Sequence, residues 1–266
     1  MPFPALLKGP KTAGQHARSM TLGMIFYLVL GAAAGGFING LAGTGTALFA
    51  MGFYLLVLEP VTAVAVVAFM SVLVGVQGLW IVRQEIFSQP RRLIRFAVPG
   101  LIGVPFGLIL LDIVDAGMLR IGIAVLLVVY GGYFGFRSAL PAFSRRTPVI
   151  DGIVGFVGGV LGGTASVSGA LPTIWLSMRP WTKSETRAVL QPYNMLVLGT
   201  TVGLLFAKGA YDQVALGALA FTIPCGLIAA QIGIWVFRYP SDTGFRRLLI
   251  ILTLCMGIGL LVSEIA

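Results

Sequence analysis

Two stretches decide the fold: Gly36-Phe37-Ile38-Asn39-Gly40-Leu41-Ala42-Gly43-Thr44-Gly45-Thr46 and Gly155-Phe156-Val157-Gly158-Gly159-Val160-Leu161-Gly162-Gly163-Thr164-Ala165-Ser166. Phe37, Gly40 and Gly43 recur as Phe156, Gly159 and Gly162, an offset of 119 residues. Each stretch runs into small and hydroxylated residues, then about a dozen apolar residues, then a charged residue before proline, Glu59-Pro60 or Arg179-Pro180. Farther on, Gly103 and Gly107 resemble Ala229 and Gly233, and Arg120 resembles Arg247. The pattern reads as two copies of one unit. It divides the chain into a polar tail (1–20), a first repeat (21–137), a linker (138–147) and a second repeat (148–266), the kind of faint symmetry that transporters retain.

The surroundings of these stretches are greasy. Of 266 residues 58% are hydrophobic and 10% charged, and mean hydropathy is +0.97. Those values exclude a disordered chain, a nucleic-acid module and an ordinary soluble enzyme. Eight stretches of 16 to 40 residues carry no charged side chain: 19–58, 60–82, 96–111, 121–136, 152–178, 188–207, 213–237 and 248–263. A membrane helix needs about 20 apolar residues, fewer when flanking arginines snorkel. The chain is therefore read as an all-α polytopic membrane protein. The first run is not taken as a signal peptide with Ala32, Ala33 and Ala34 as its cleavage site, because it continues uncharged to Leu58 and recurs near residue 156.

The net charge of +9 fixes topology instead of attracting nucleic acid. Segments 83–95, 137–146, 179–187 and 238–247 hold 13 of the 18 Lys and Arg, and the positive-inside rule places all four in the cytoplasm. Asp112 and Asp115 then fall outside, as do the turns at 59–60 and 208–212 and the C-terminus. The stretch between 137–146 and 179–187 must enter and return on one side. Its 27 uncharged residues suit a hairpin of two half-helices meeting at Gly162-Gly163-Thr164. By repeat symmetry 21–58 is a hairpin with longer arms, open to the opposite face. The expected architecture is two inverted repeats, each a broken-helix hairpin plus three full transmembrane helices. It leaves Lys8, Lys11 and Arg18 outside; a single broken crossing by 21–58 would bring the tail inside but lose the symmetry.

Backbone breaks in hydrocarbon survive only where they line a polar cavity. Half-helices restarting at about 46 and 166 would aim free N–H groups and the positive dipole end at that cavity, which suits an anion. Asn39, Gly43, Thr44, Gly45, Thr46, Gly162, Gly163, Thr164, Ser166 and Ser168 are the candidate substrate contacts there. The competing role for any one glycine is helix packing, and the GxxxG pairs Gly36/Gly40, Gly155/Gly159 and Gly159/Gly163 fit it.

A second polar cluster follows. Arg187, Gln191 and Asn194 share a helical face, beside Tyr193 and with Pro192 loosening the backbone ladder. Gln191, Tyr193 and Asn194 are read as cavity-lining, against interhelical hydrogen bonding, and Arg187 as an entrance residue at the cytoplasmic boundary. Ser71 and Gln77 lie at comparable depth in the first repeat, whereas Gln231 is isolated and structural. His16 sits in the tail, and Cys225 and Cys255 lie apart in apolar runs, so no metal site, cofactor or catalytic triad is indicated.

At these glycine motifs the sequence resembles the TauE/SafE family of sulfite exporters and related anion permeases, over essentially everything after residue 20. Both quoted stretches look like its repeated GxxxGxxGxGG-type signature, with Thr44 and Thr164 where bare glycine is usual. The resemblance implies a multi-pass transporter of the cytoplasmic membrane carrying sulfite, a sulfonate or another organosulfur anion. Its expected partners are that anion and the lipid bilayer, not nucleic acid, and assembly as a homo-oligomer stays open. Alternating access between the repeats is the expected mechanism. Outward movement of a monoanion down an interior-negative potential of about 100 mV gains roughly 2.3 kcal/mol, so export can run as uniport. Coupling through Asp151 or Glu185 is left open. A different class of answer is an anion channel or an accessory membrane subunit without its own substrate; a membrane-embedded enzyme lacks a catalytic cluster.

Overall fold

The computed structural model describes residues 21–113, 116–135, 143–145 and 147–265. The N-terminal tail and most of the linker at 138–147 lie outside the described residues. All regular structure among those described is helical: α1 (Leu22–Ala42), α2 (Thr46–Tyr54), α3 (Pro60–Ile81), α4 (Arg83–Ser88), α5 (Pro90–Ile113) and α6 (Ala116–Gly135) before the linker. After it come α7 (Pro148–Ala165), α8 (Ala170–Ser177), α9 (Lys183–Ala207), α10 (Gln213–Phe237) and α11 (Asp242–Ile265). Starts are written in the sequence. Pro60 and Pro148 open α3 and α7, where a missing N–H costs nothing. Thr182 and Glu185 form a capping box on α9, and the Asp212 carboxylate accepts from the Ala215 N–H at the start of α10. Among the described residues, six helices are long and apolar enough to cross a membrane: α1, α3, residues 90–110 of α5, α7, α9 and α10.

Both hairpins exist, with unequal arms. α1 has 21 residues and α7 has 18, about 31 and 27 Å at the helical rise, so each approaches a full span. Only the returning arms, α2 with 9 residues and α8 with 8, are half-helices. α2 folds back along α1: a Cβ on Gly35 would sit 2.8 Å from the Thr46 carbonyl oxygen, and one on Gly31 would sit 3.1 Å from that of Ala50. α8 folds back along α7, with the Trp175 indole N–H donating to Asp151 at 2.8 Å.

The first break falls where expected, at Gly43 and Gly45, whose φ values of 81° and 97° suit residues without a Cβ. The second does not. Gly162, Gly163 and Thr164 are inside α7, and the chain turns at Ser166, left-handed at φ 57°, before restarting at Ala170. Four further residues carry α7 past the position aligned with Gly43, so the simple offset of 119 loses register at the break.

Helices on either side of the linker pair reciprocally. α1 packs on α10, α5 on α7, α6 on α11 and α3 on α9. The close contacts also match. A Cβ on Gly36 would lie 2.8 Å from Gly226 Cα and one on Gly40 2.7 Å from Ala230 Cα; a Cβ on Gly155 would lie 2.8 Å from Phe96 Cα and one on Gly159 2.8 Å from Gly100 Cα. Likewise Gly103 faces the Val160 amide at 2.9 Å and Gly233 faces that of Leu41 at 2.8 Å. These glycines are packing residues that let two backbones touch. They also correct one alignment. Phe96, Gly100 and Gly103 stand where Gly226, Ala230 and Gly233 stand, an offset of 130, so Gly103 matches Gly233 and not Ala229.

The outside of the bundle is apolar, as in the stripe Val98, Ile102, Phe106 and Ile109 on α5, while Asn39, Thr46, Ser71, Ser168, Gln191 and Asn194 are buried. The basic segments gather at one end. Arg92 meets Glu185 at 2.6 Å, Arg179 donates to the Arg145 carbonyl, and the Lys183 ammonium donates to the carbonyls of Phe237, Arg238 and Pro240.

Candidate functional site

The two breaks meet in the interior. A Cβ on Gly169 would overlap the Thr44 hydroxyl and lie 2.7 Å from Thr44 Cβ, so the second break presses its bare backbone onto the first. Around this contact is a cavity of about 10 Å³ lined by Thr44, Gly45, Thr46, Ser71, Ser166 and Asn194, among others. That volume holds one water-sized group and no sulfur oxyanion. The chain is therefore seen closed around its centre. Neither α2 nor α8 has a side-chain cap at its N-terminus, and their first residues, Thr46 and Ala170, line this same cavity. Uncapped first-turn N–H groups and the two dipole ends thus point toward one small space.

One helix, α9, supplies polar groups to both breaks, because residues three and four apart share a face. Toward the second break, Ser168 Oγ donates to Asn194 Oδ1. Toward the first, Gln191 Nε2 donates to Asn39 Oδ1 at 3.3 Å and to the Gly75 carbonyl at 3.0 Å. Asn39 Nδ2 in turn donates to Thr46 Oγ1 at 2.7 Å, at the first residue of α2. Arg187 Nε donates to Gln191 Oε1 at 3.3 Å. The result is a continuous chain, Arg187–Gln191–Asn39–Thr46, with every member buried. Gly43 lies beside it: a Cβ there would sit 2.8 Å from Gln191 Oε1.

Arg187 is the largest departure from the sequence reading. Its position at the end of a charged segment suggests a boundary residue, yet it is 0% exposed and stacked 4.5 Å from the centre of the Phe237 ring. The side chain is thus interior and not at a surface boundary.

Other candidates stand apart from the cavity. Thr164 Oγ1 donates back to Val160 and Leu161 carbonyls of its own helix, the usual refuge of a threonine in a membrane span. Gly163 packs against α5, where its Cβ would meet Gly107 Cα at 3.1 Å. Gly162 faces Ser168 and Val197. Tyr193 Oη donates to the Gly155 carbonyl at 2.7 Å, on the α7 side. Ser166 lines the cavity, although its Oγ donates to the Val64 carbonyl, and Ser168 is joined to it through Asn194. The sequence reading passed over Gly169, Gly78 and Phe237. Gly169 was legible only as the glycine closing the Ser166-Val167-Ser168-Gly169 run, once the second break is shifted past Thr164.

At the basic end lies a wider cavity of about 500 Å³, lined by Arg91, Arg92, Arg95, Arg145, Arg179 and Asp151 among others. Asp151 is almost fully buried there. Its Oδ1 accepts from Arg179 Nη2 at 2.9 Å and from Trp175, and Oδ2 lies 4.0 Å from Arg95. Glu185 is held by Arg92 and by its own helix cap. Both acids are committed to ion pairs that tie loops and helix starts together.

No curated protein matches the chain. A family model described as Sulfite exporter TauE/SafE matches residues 27–260, nearly its whole length. The chain belongs to that family, one of membrane transporters and not of enzymes, and is a multi-pass membrane protein of the sulfite and anion exporter type.

Proposed function

We propose, with that family as the premise, that the chain exports a small sulfur oxyanion, sulfite or a sulfonate, across the cytoplasmic membrane by alternating access around the junction of the two breaks. One observation carries this reading. Two interrupted helices, one from each side of the linker, bring uncapped N-termini and buried hydroxyls to a single point inside an apolar bundle. Donors without a full countercharge hold an anion and still release it. The substrate contacts in this reading are Thr44, Gly45, Thr46, Ser166, Ser168 and Asn194, with Asn39, Gly43 and Gln191 behind them.

The reciprocal pairing of α1 with α10 and α5 with α7 supports two inverted repeats that rock against each other. The closed cavity corresponds to the state between inward and outward opening. Export follows from the charge of the cargo, since an interior-negative potential drives an anion out at roughly 2.3 kcal/mol per charge per 100 mV.

Proteoliposomes loaded with radiolabelled sulfite test this directly. Saturable efflux that accelerates under an inside-negative potential, and that unlabelled sulfonates compete with, is the expected result. Flux indifferent to both potential and anion identity rules the reading out, and non-saturating ohmic current replaces the carrier with a channel.

A further inference from the structure

We propose that Arg187 is the fixed positive charge that seats the transported anion, accepting it on the guanidinium edge that faces Gly78 and the first break. The inference rests on the transport reading above and deepens it by naming a residue that the hydroxyl and backbone donors alone do not supply.

The guanidinium is fully buried, and among the described residues no acidic side chain lies within ion-pairing distance of it. Its neighbours are neutral: Gln191 Oε1 at 3.3 Å from Nε, the Leu41 carbonyl at 3.5 Å from Nη1, and the Phe237 ring. Nη2 has no hydrogen-bond partner at all. Among the described residues Arg179 is buried as well, and it makes the contrast. Arg179 spends its charge on Asp151, at 2.9 Å. A charged group left uncompensated inside a membrane bundle is costly and marks a ligand pathway by default.

The surroundings show where the ligand arrives. A Cβ on Gly78 would lie 2.8 Å from Nη2, and one on Gly43 would lie 3.2 Å from Arg187 Cγ. Two glycines, one in α3 and one in the first break, therefore pack side-chain-free backbone closely against the guanidinium and its stem, so that only a modest separation of α3 from α9 is needed to uncover Nη2. The neutral contacts at Nε and Nη1 are long, and so are exchangeable. An oxyanion can take Nε and Nη2 together as a bidentate acceptor, displacing Gln191 Oε1, while Gln191 Nε2 stays on Asn39 and Gly75. The chain through Gln191 and Asn39 to Thr46 then couples an anion seated on the guanidinium to the α2 N-terminus through two intervening side chains. Seating an anion here removes the unpaired charge. That favours small anions with two or more equivalent oxygens over neutral or halide ligands.

The test uses purified full-length protein, with sulfite and methanesulfonate binding read by calorimetry and sulfite efflux read in proteoliposomes. Arg187→Gln should weaken binding on the order of 10- to 100-fold, the range of a charge-assisted hydrogen bond. Arg187→Lys should recover part of that loss together with the salt dependence of binding, which a structural role would not restore. Gly78→Ala keeps the charge but crowds Nη2, and should raise Kd several-fold; it also serves where Arg187→Gln fails to fold. Wild-type affinity in Arg187→Gln, or in both Arg187→Lys and Gly78→Ala when Arg187→Gln is unstable, overturns the assignment while wild-type efflux leaves the transport reading standing. A wild-type protein that neither binds nor moves these anions overturns both.

Discussion

Thr44 and Gly169 touch across the centre of the molecule, the side chain of one break filling the space where the other lacks a Cβ. Because Thr44 is β-branched and buried, its side chain is stiff and yields little.

Gly169→Ala should therefore force the two breaks apart, an overpacking cost of about 1–3 kcal/mol. Sulfite efflux should fall at least several-fold, with a lower melting temperature in detergent. Adding Thr44→Gly should restore the melting temperature by removing the clash, and should recover efflux only in part, because the Thr44 hydroxyl is itself a substrate contact. Two losses that simply add in the double variant would mean the residues do not meet during transport.

The hydroxyls of the second half should separate cleanly. Thr164→Val removes only a bond to its own helix, so efflux and sulfite affinity should stay within about twofold of wild type. Ser168→Ala leaves Asn194 Oδ1 without its partner in a dry interior, costing about 1–3 kcal/mol, and should weaken transport. An inverted ranking in side-by-side efflux assays would move the site back to the last turn of α7.

The reciprocal glycines should behave as a pair. Gly40→Ala and Gly159→Ala each drive a Cβ into the backbone of a crossing helix, so both should lower expression and melting temperature to a similar degree. Gly199→Ala in α9 meets nothing within 4 Å and should be neutral or stabilising by up to about 1 kcal/mol. Thermal melts in one detergent compare all three.

Asp151→Asn should act on stability more than on proton coupling. It leaves Arg179 buried without its carboxylate partner, which costs about 3–5 kcal/mol when a buried pair is broken. The melting temperature should drop, while the pH profile of residual efflux keeps the wild-type shape. A shifted profile at unchanged stability would make Asp151 part of the transport chemistry.

The class of protein was legible in the sequence because charge is confined to a few segments, and lipid tolerates charge nowhere else. The first break was legible too, because Gly43-Thr44-Gly45 permits left-handed backbone that a helix cannot continue through. The second was misplaced by four residues. Gly162 and Gly163 look like Gly43, but glycine signals only that a Cβ is missing, and here it is missing so that α5 and Ser168 can approach. The α9 spacing was informative for one pair, since Arg187 and Gln191 meet, whereas Asn194, buried as well, bonds Ser168 at the other break. The depth of Arg187 was hidden. A residue at the edge of a charge-rich segment reads as a surface group, and only the tertiary arrangement, with α3 and α10 closing over it, shows otherwise.

The crosswise pairing of helices bears on the ancestry and assembly of the chain. Every principal partner of α1 and α5 beyond the hairpin itself belongs to the other side of the linker, so a single half carries its glycine seams with nothing to fill them. A half-length protein with this surface would expose bare backbone seams until a second half packed against it. Carrying both halves in one chain keeps every seam beside the helix that fills it, so that the pairing never waits on an encounter between separate molecules.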